Sequence, residues 1–212
     1  MNKQALIQLL NTLTLDDKIT MIHGASMFQT GAVTEKNVPA FTFDDGPMGP
    51  RKEYQRDDWI PIGGNDDATS YLPSNSALAA TFNRKRALES GTILGREARG
   101  RGKDMILAPG INIHRSPLGG RNFEYMSEDP YLTAEIAVPF VEGIQQNDVS
   151  ACVKHYALNN QETDRTGYNA DVSERALWEI YLPAFRATVK KAHTMGTVSY
   201  THLRAHETAA NL

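Results

Sequence analysis

A single cysteine, Cys152, is all that the 212 residues contain. No internal disulfide can form, and its setting in "VSACV" reads as a small buried apolar side chain. Long hydrophobic runs are missing too: no stretch approaches the roughly 18 apolar residues that a membrane span requires. The first residues, "MNKQALIQLLNTLTLDDK", lack the continuous apolar core and small-residue cleavage site of a secretory leader. Neither sign of charge dominates. Against 25 acidic side chains stand 22 basic ones, for a formal charge of −3 and a pI near 6.1. Such a balance leaves no nucleic-acid footprint. The expectations are no membrane, no nucleic acid and a reducing, cytoplasmic setting. No GxGxxG turn follows the first strand candidate, which counts against a doubly wound, dinucleotide-type sheet.

What is present is ordinary core-forming material: 41% hydrophobic and 22% charged residues, in a length that suits one domain or a piece of a larger one,. Leu6, Leu9, Leu10 and Leu13 follow helical 3/4 spacing. Thr14 is a candidate N-cap for a second helix, with Asp17 three residues on and Gly24 as its stop. Beyond it, strands and helices alternate. "VPAFTFDDGPMGPR", "DMILAPGINIHRSP", "VSACVKHYALNN" and "GTVSY" are strand candidates, and "TSYLPSNSALAATFN" is a short strand or turn. "RKRALESGTILGREARGRG" reads as a helix with Ala87, Ile93, Leu94 and Ala98 facing the core. Another starts at Asp129 with Pro130 in its first turn. A third starts at Asp171 or Ser173, with Pro183 forcing an irregularity. Alternation of this kind predicts an α/β fold with a parallel sheet. Polar residues gather where strand candidates end: Asp44 and Asp45, Asn112 and His114, Lys154 and His155. A (β/α)8 TIM-like barrel builds its site at those ends. About five strands fit, so the barrel is incomplete.

The residue types at these ends suit a sugar. A sugar carries many hydroxyls and no charge, so it is gripped by carboxylates that accept and by Lys, Arg, His and Asn that donate. "FDDGPMGPR" offers Asp45 and Arg51. "PLGGRNFEYMSEDP" offers Arg121, Asn122 and Glu124. "KHYALNNQETDR" offers Lys154, His155, Asn159, Asn160 and Glu162. None is specific alone.

Together, "GINIHRSPLGGRNFEYMSEDPYL", "ACVKHYALNNQET" and "SERALWEIYLPAF", in that order and spacing, resemble glycoside hydrolase family 3, the β-glucosidase family. The resemblance runs from "LTLDDKITMIHG" to about Gly196. It implies a (β/α)8-like barrel followed by an α/β sandwich, and hydrolysis of terminal β-linked glucosyl residues with retention. Asp45 takes the place of the family's sugar-binding DGP aspartate. Arg121, Lys154 and His155 are implied to line the same subsite, and Arg51 to lie nearby. Glu124, Glu128 and Asp129 look like structural partners of their loop. No metal and no cofactor is implied, since the reaction needs only carboxylates and water. β-Xylosidase is a sibling activity. Two readings from other classes stand beside it: a Schiff-base enzyme using Lys154, and a sugar-binding fragment without chemistry.

A retaining glycosidase needs two carboxyl groups about 5 Å apart. The resemblance puts the nucleophile in a Ser-Asp-Trp-like motif and the acid/base in the sandwich, and neither stands in this sequence. The chain instead closes on "VSYTHLRAHETAANL", which resembles a translated transposase adapter used in preparing sequencing libraries. Residues 1–197 are therefore read as a partial barrel domain and 198–212 as a non-native, disordered tail. His202, His206 and Glu207 in that tail are not taken as a metal site. The chain by itself is expected to be inactive and poorly soluble, because a half barrel leaves an unpaired sheet edge.

Overall fold

The computed structural model describes residues 2–51, 68–165 and 167–199. Two capped helices open the chain, the second at the Thr14 cap that its sequence predicts. In α1 (Lys3–Thr12) the Asn2 side chain accepts from the Ala5 N–H. In α2 (Leu15–Ile22) Thr14 Oγ1 accepts from the Asp17 N–H at 3.1 Å, and Asp17 Oδ2 accepts from the Thr14 N–H at 2.8 Å. That reciprocal pair satisfies two donors that a helix start otherwise leaves open. Of the leucine stripe, Leu13 is buried, while Leu6 and Leu10 stay half exposed. A short antiparallel ribbon, β1 (Gly24–Ser26) with β2 (Gln29–Thr30), follows.

The body of the molecule is a four-stranded parallel sheet: β3 (Phe43–Asp45), β4 (Met105–Leu107), β5 (Ser150–Tyr156) and β6 (Gly196–Ser199). The strands lie side by side in chain order, each joined to the next through helical segments. A doubly wound sheet would reverse its order at a switch point; successive staves of a (β/α) barrel do not. The register pairs Asp45 with Leu107, Ile106 with Ala151, and Lys154 with Val198. β5 is buried continuously from Ala151 to His155, as expected of a strand covered on both faces,.

Three details differ from the sequence expectations. The parallel sheet has four strands among the described residues rather than about five. "TSYLPSNSALAATFN" instead carries α3 (Asn75–Ala79), capped by Ser74, whose Oγ accepts from the Ala77 N–H. Second, β4 is only three residues long. Pro109 has no N–H to give to a ladder, and the chain runs on irregularly while Ala108, Ile111 and Ile113 remain buried,. Third, β6 takes in Val198 and Ser199, the first two residues of the segment set apart as a tail. Residues 200–212, with His202, His206 and Glu207, lie outside the described residues.

Between the strands run α4 (Arg84–Gly100) and α5 (Pro130–Gln145), followed after β5 by α6 (Glu174–Ala176) and α7 (Pro183–Lys190). Ser173, rather than Asp171, caps α6, its Oγ accepting from the Ala176 N–H. The irregularity expected of Pro183 is a π-helical turn over Leu177–Tyr181, just ahead of a residue with no N–H to donate,. No helix among the described residues is long and apolar enough to cross a membrane.

The pairing of α4 with α5 depends on glycine. A Cβ at Gly91 would lie 2.0 Å from the Phe140 carbonyl oxygen, and one at Gly143 would lie 2.4 Å from that of Leu88. The two backbones therefore approach to a distance that no side chain allows. Ala87, Leu94 and Ala98 face this contact as predicted, but Ile93 is 45% exposed. Gly91 takes the inward place, because a stripe centred on Ala87, Gly91, Leu94 and Ala98 leaves residue 93 on the flank. Gly91→Ala is expected to lower the unfolding free energy by about 2 kcal/mol through overpacking. Ile93→Ala should change it by no more than about 0.5 kcal/mol. Urea unfolding of both variants checks the pair.

Candidate functional site

Asp45 ends β3, and Lys154 and His155 lie near the end of β5. β3 and β5 are not neighbours, since β4 separates them. Yet Lys154 Nζ donates to Asp45 Oδ1 at 2.5 Å. In a barrel, side chains of alternate strands meet in layers across the interior. This contact has that form, and β4, ending at Leu107, leaves it room.

The long connection from β4 to α5 supplies the next members. It folds into a 3-10 turn over Asn122–Glu124. Asn75 Nδ2 donates to the Glu124 carbonyl at 2.8 Å and ties the turn to α3. Gly110 lies beneath it, where a Cβ would stand 2.7 Å from that same oxygen. So placed, the Glu124 carboxylate is 4% exposed and receives Arg121 in a bidentate pair, Nε to Oε2 at 2.6 Å and Nη2 to Oε1 at 2.8 Å. Lys154 Nζ is 3.5 Å from Glu124 Oε1. Glu162 stands on the far side, with Arg121 Nη1 at 3.7 Å and Arg165 Nη1 at 3.0 Å.

His155 is 1% exposed, and its partners assign its tautomer. Arg121 Nη2, which has only protons to give, lies 3.0 Å from Nε2, so Nε2 accepts,. The ring proton is then on Nδ1 and points to the Tyr125 hydroxyl oxygen at 2.9 Å. Burial holds the imidazole well below its ordinary pKa, and Lys154, Arg121 and Arg165 push it the same way. It is neutral at any physiological pH. Burial also raises the Tyr125 phenol, so its hydroxyl keeps its proton. Asn112 clamps the backbone here: its Oδ1 accepts from the His155 N–H at 2.6 Å, and its Nδ2 donates to the carbonyls of His155 and Ala157. Asn159 Nδ2 donates to Tyr125 Oη and Glu162 Oε1, which leaves its buried Oδ1 without a partner among the described residues.

Of the five residues singled out from sequence, Asp45, Arg121, Lys154 and His155 converge. Arg51 lies beside them, next to Asp44. Its Nε lies 3.4 Å from the fully buried Asp44, and its guanidinium sits 4.0 Å over the Phe28 ring. Its backbone N–H donates to the Asp45 carbonyl at 2.9 Å. Glu124 is the loop partner expected, and Asp129 caps α5. Tyr125 went unnoticed: it follows Glu124 in "NFEY" with no spacing that marks it. Cys152 is a buried structural thiol, pushed up to about 12 chiefly by burial.

Chemically, the cluster opposes three carboxylates (Asp45, Glu124, Glu162) to three cations (Lys154, Arg121, Arg165), with His155 neutral. That balance suits an uncharged ligand rich in hydroxyls. Among the described residues, Asp45 receives Lys154 and the Gly46 N–H on Oδ1 alone. Its side chain is 21% exposed, so Oδ2 can accept from a ligand. Among the described residues, no group of three or more His, Cys, Asp or Glu side chains is placed to hold a metal. Lys154 contacts two carboxylates and does not stand in the apolar surroundings that a Schiff-base lysine wants.

The chain matches the model of the glycosyl hydrolase family 3 N-terminal domain over residues 63–210. Arg121, Lys154 and His155 lie inside that span, Asp45 and Arg51 before it. It is 43% identical over 208 residues to a protein of Bacteroides ovatus named beta-glucosidase BoGH3A, covering 95% of this chain and 28% of that protein. It is 39% identical over 207 residues to an exo-alpha-(1->6)-L-arabinopyranosidase of Bifidobacterium longum, covering 94% and 26% respectively. Among solved structures, beta-glucosidase 3B from Thermotoga neapolitana in complex with glucose superposes with a TM-score of 0.84 at 40% identity, covering 92% of this chain and 29% of that one. The chain thus spans little more than a quarter of these proteins' length.

Two predictions follow from the cluster. Removing the Glu124 charge in Glu124→Gln leaves Arg121 and Lys154 without their shared buried partner, and should cost about 3 kcal/mol of stability in denaturant titration. His155 has a folded pKa below its ordinary 6.5. The unfolded chain therefore binds a proton below that pH that the folded one refuses. Its contribution is whole above pH 6.5 and is lost as the pH falls. Well below 6.5, wild type should lose stability faster than His155→Gln by about 1.4 kcal/mol per pH unit, as measured by unfolding at pH 5 and 6.

Proposed function

Because the chain belongs to the glycosyl hydrolase family 3 N-terminal domain family, we propose that it forms the sugar-gripping part of a β-glucosidase-type glycoside hydrolase. The substrate class is a terminal, non-reducing β-D-glucosyl residue, and the reaction is retaining hydrolysis of its O-glycosidic bond. The observation that carries this reading is the Asp45–Lys154 pair at the strand ends, backed by Arg121 and His155.

A hydroxyl of the terminal sugar donates to Asp45 Oδ2, and Lys154 and Arg121 supply N–H donors to neighbouring hydroxyl oxygens. His155 holds the Arg121 fork in place through Nε2. Each carboxylate of the cluster is committed to a cation, so its work is to bind and orient. The nucleophile and the acid/base of a retaining mechanism are assigned to no described residue. A pentopyranoside specificity is the second reading, favoured by the arabinopyranosidase among the relatives; a pentopyranose lacks only the exocyclic hydroxymethyl group.

Calorimetric titration of the 212-residue chain with glucose tests the grip. Asp45→Asn and Lys154→Met should each weaken binding at least about tenfold, or 1.4 kcal/mol; wild-type affinity in both variants would sink the assignment. The purified chain should not hydrolyse p-nitrophenyl β-D-glucoside. The intact protein carrying this domain should, in preference to the β-D-xyloside and the α-L-arabinopyranoside. The opposite preference would favour the pentose reading.

A further inference from the structure

The Tyr125 hydroxyl stands where two buried side chains meet. His155 Nδ1 lies 2.9 Å from it on one side, and Asn159 Nδ2 lies 2.9 Å from it on the other. Tyr125 is 3% exposed, and His155 and Asn159 are each 1% exposed. Glu162 sets the orientation of the Asn159 amide. A carboxylate only accepts, so Nδ2 is the atom that faces its Oε1 at 3.0 Å,. The same Nδ2 also donates to the phenol. With Nε2 of His155 accepting from Arg121, the imidazole proton on Nδ1 donates to it as well. The phenol oxygen thus accepts from both neighbours.

The place of that oxygen is built in. Gly110 lies against the ring, and a Cβ there would crowd Tyr125 Cδ1 at 3.0 Å. The ring meets the imidazole edge-on, with centroids 5.9 Å apart and planes at 84°,. The Tyr125 N–H donates to the Asn122 carbonyl at 3.2 Å, within the turn that carries Glu124. Arg121 leads directly into the same turn. One short segment therefore delivers both the cation of the grip and the oxygen that stands behind the histidine.

We propose that Tyr125 is a positioning residue of the sugar grip. By accepting the Nδ1 proton, it stabilises the one tautomer of His155 whose Nε2 can accept from Arg121, and so sets the direction of the Arg121 donors. The inference rests on the sugar-binding reading above and adds a residue that acts on the sugar only through two others. Without the phenol oxygen, the Nδ1 proton loses its acceptor at a buried place, which is costly. Asn159 Nδ2 cannot stand in, because it only donates. The proton then moves to Nε2, where it points at Arg121 Nη2. Two donors face to face displace the guanidinium.

The test reads tautomer and affinity separately in the 212-residue chain. NMR of its nitrogen-labelled histidines should show His155 with a proton on Nδ1 and none on Nε2. His155→Gln identifies the signals among the six histidines. Tyr125→Phe keeps the ring and loses one oxygen. There the proton should move to Nε2, and the glucose affinity measured by calorimetric titration should fall about tenfold. Tyr131→Phe, the same change at a residue 69% exposed, should alter neither readout. A wild-type His155 protonated on Nε2 would overturn the proposal without any variant. So would a Tyr125→Phe chain that binds glucose like wild type, or one that binds weakly with the tautomer unchanged. Those results leave the sugar-binding reading standing. If wild type shows the Nδ1 tautomer and binds no glucose, that reading fails and the proposal falls with it.

Discussion

The Glu124 carboxylate is the point on which the rest of the site turns. It takes Nε and Nη2 of Arg121, lies 3.5 Å from Lys154, and is reached by the His155 ring at 4.0 Å. With Arg121 locked in that fork, Nη2 also faces Nε2 of His155, which decides where the imidazole proton sits. With Lys154 drawn between Glu124 and Asp45, β3 and β5 are tied across β4. An isolated carboxylate at this depth would be very costly to bury. Here it is stabilised only because two cations come from two different parts of the chain, a loop and a strand. The arrangement stands or falls as a unit.

That unit needs the sheet register to be right. Successive residues of a strand face opposite sides, so a slip of one residue would carry Lys154 away from Asp45. The register of β3 on β4 and of β4 on β5 is supported from behind by α4 and α5, whose glycine contact fixes their separation. Gly110 and Asn75 hold the Glu124 turn against the sheet. Packing far from any ligand therefore sets the distances within the cluster, which is how a rigid scaffold holds a binding geometry.

Much of this was legible in the residues. Period and caps revealed α1, α2, α4 and α5, because Thr14, Asp129 and the apolar spacing each have a local physical cause. Alternation of strand and helix indicated the parallel sheet. The motifs around Asp45, Arg121 and Lys154–His155 named residues that the fold brings together. Other features were not legible because their causes are not local. The apolar side chain of Ile93 suggested core, yet glycine was preferred inward because a neighbouring backbone comes too close for any side chain. The end of "TSYLPSNSALAATFN" became α3 because Ser74 caps it and Glu124 accepts from Asn75, 49 residues away. Arg51, expected near the sugar grip, faces Asp44, which is fully buried and one residue from Asp45. No pattern in one dimension separates two adjacent aspartates by the side of the sheet they face. Tyr125 gained its role only when His155 arrived from 30 residues downstream.

The evenness of charge around Glu124 has a consequence for the medium in which the protein works. Surface ion pairs and sites for anionic ligands weaken as salt shortens the Debye length to about 10 Å at 0.1 M. The carboxylate and ammonium groups here are mostly buried and compensated within a few ångströms, so mobile ions have little net field to screen. A grip of this kind holds a neutral ligand with nearly the same strength in dilute buffer and in brine.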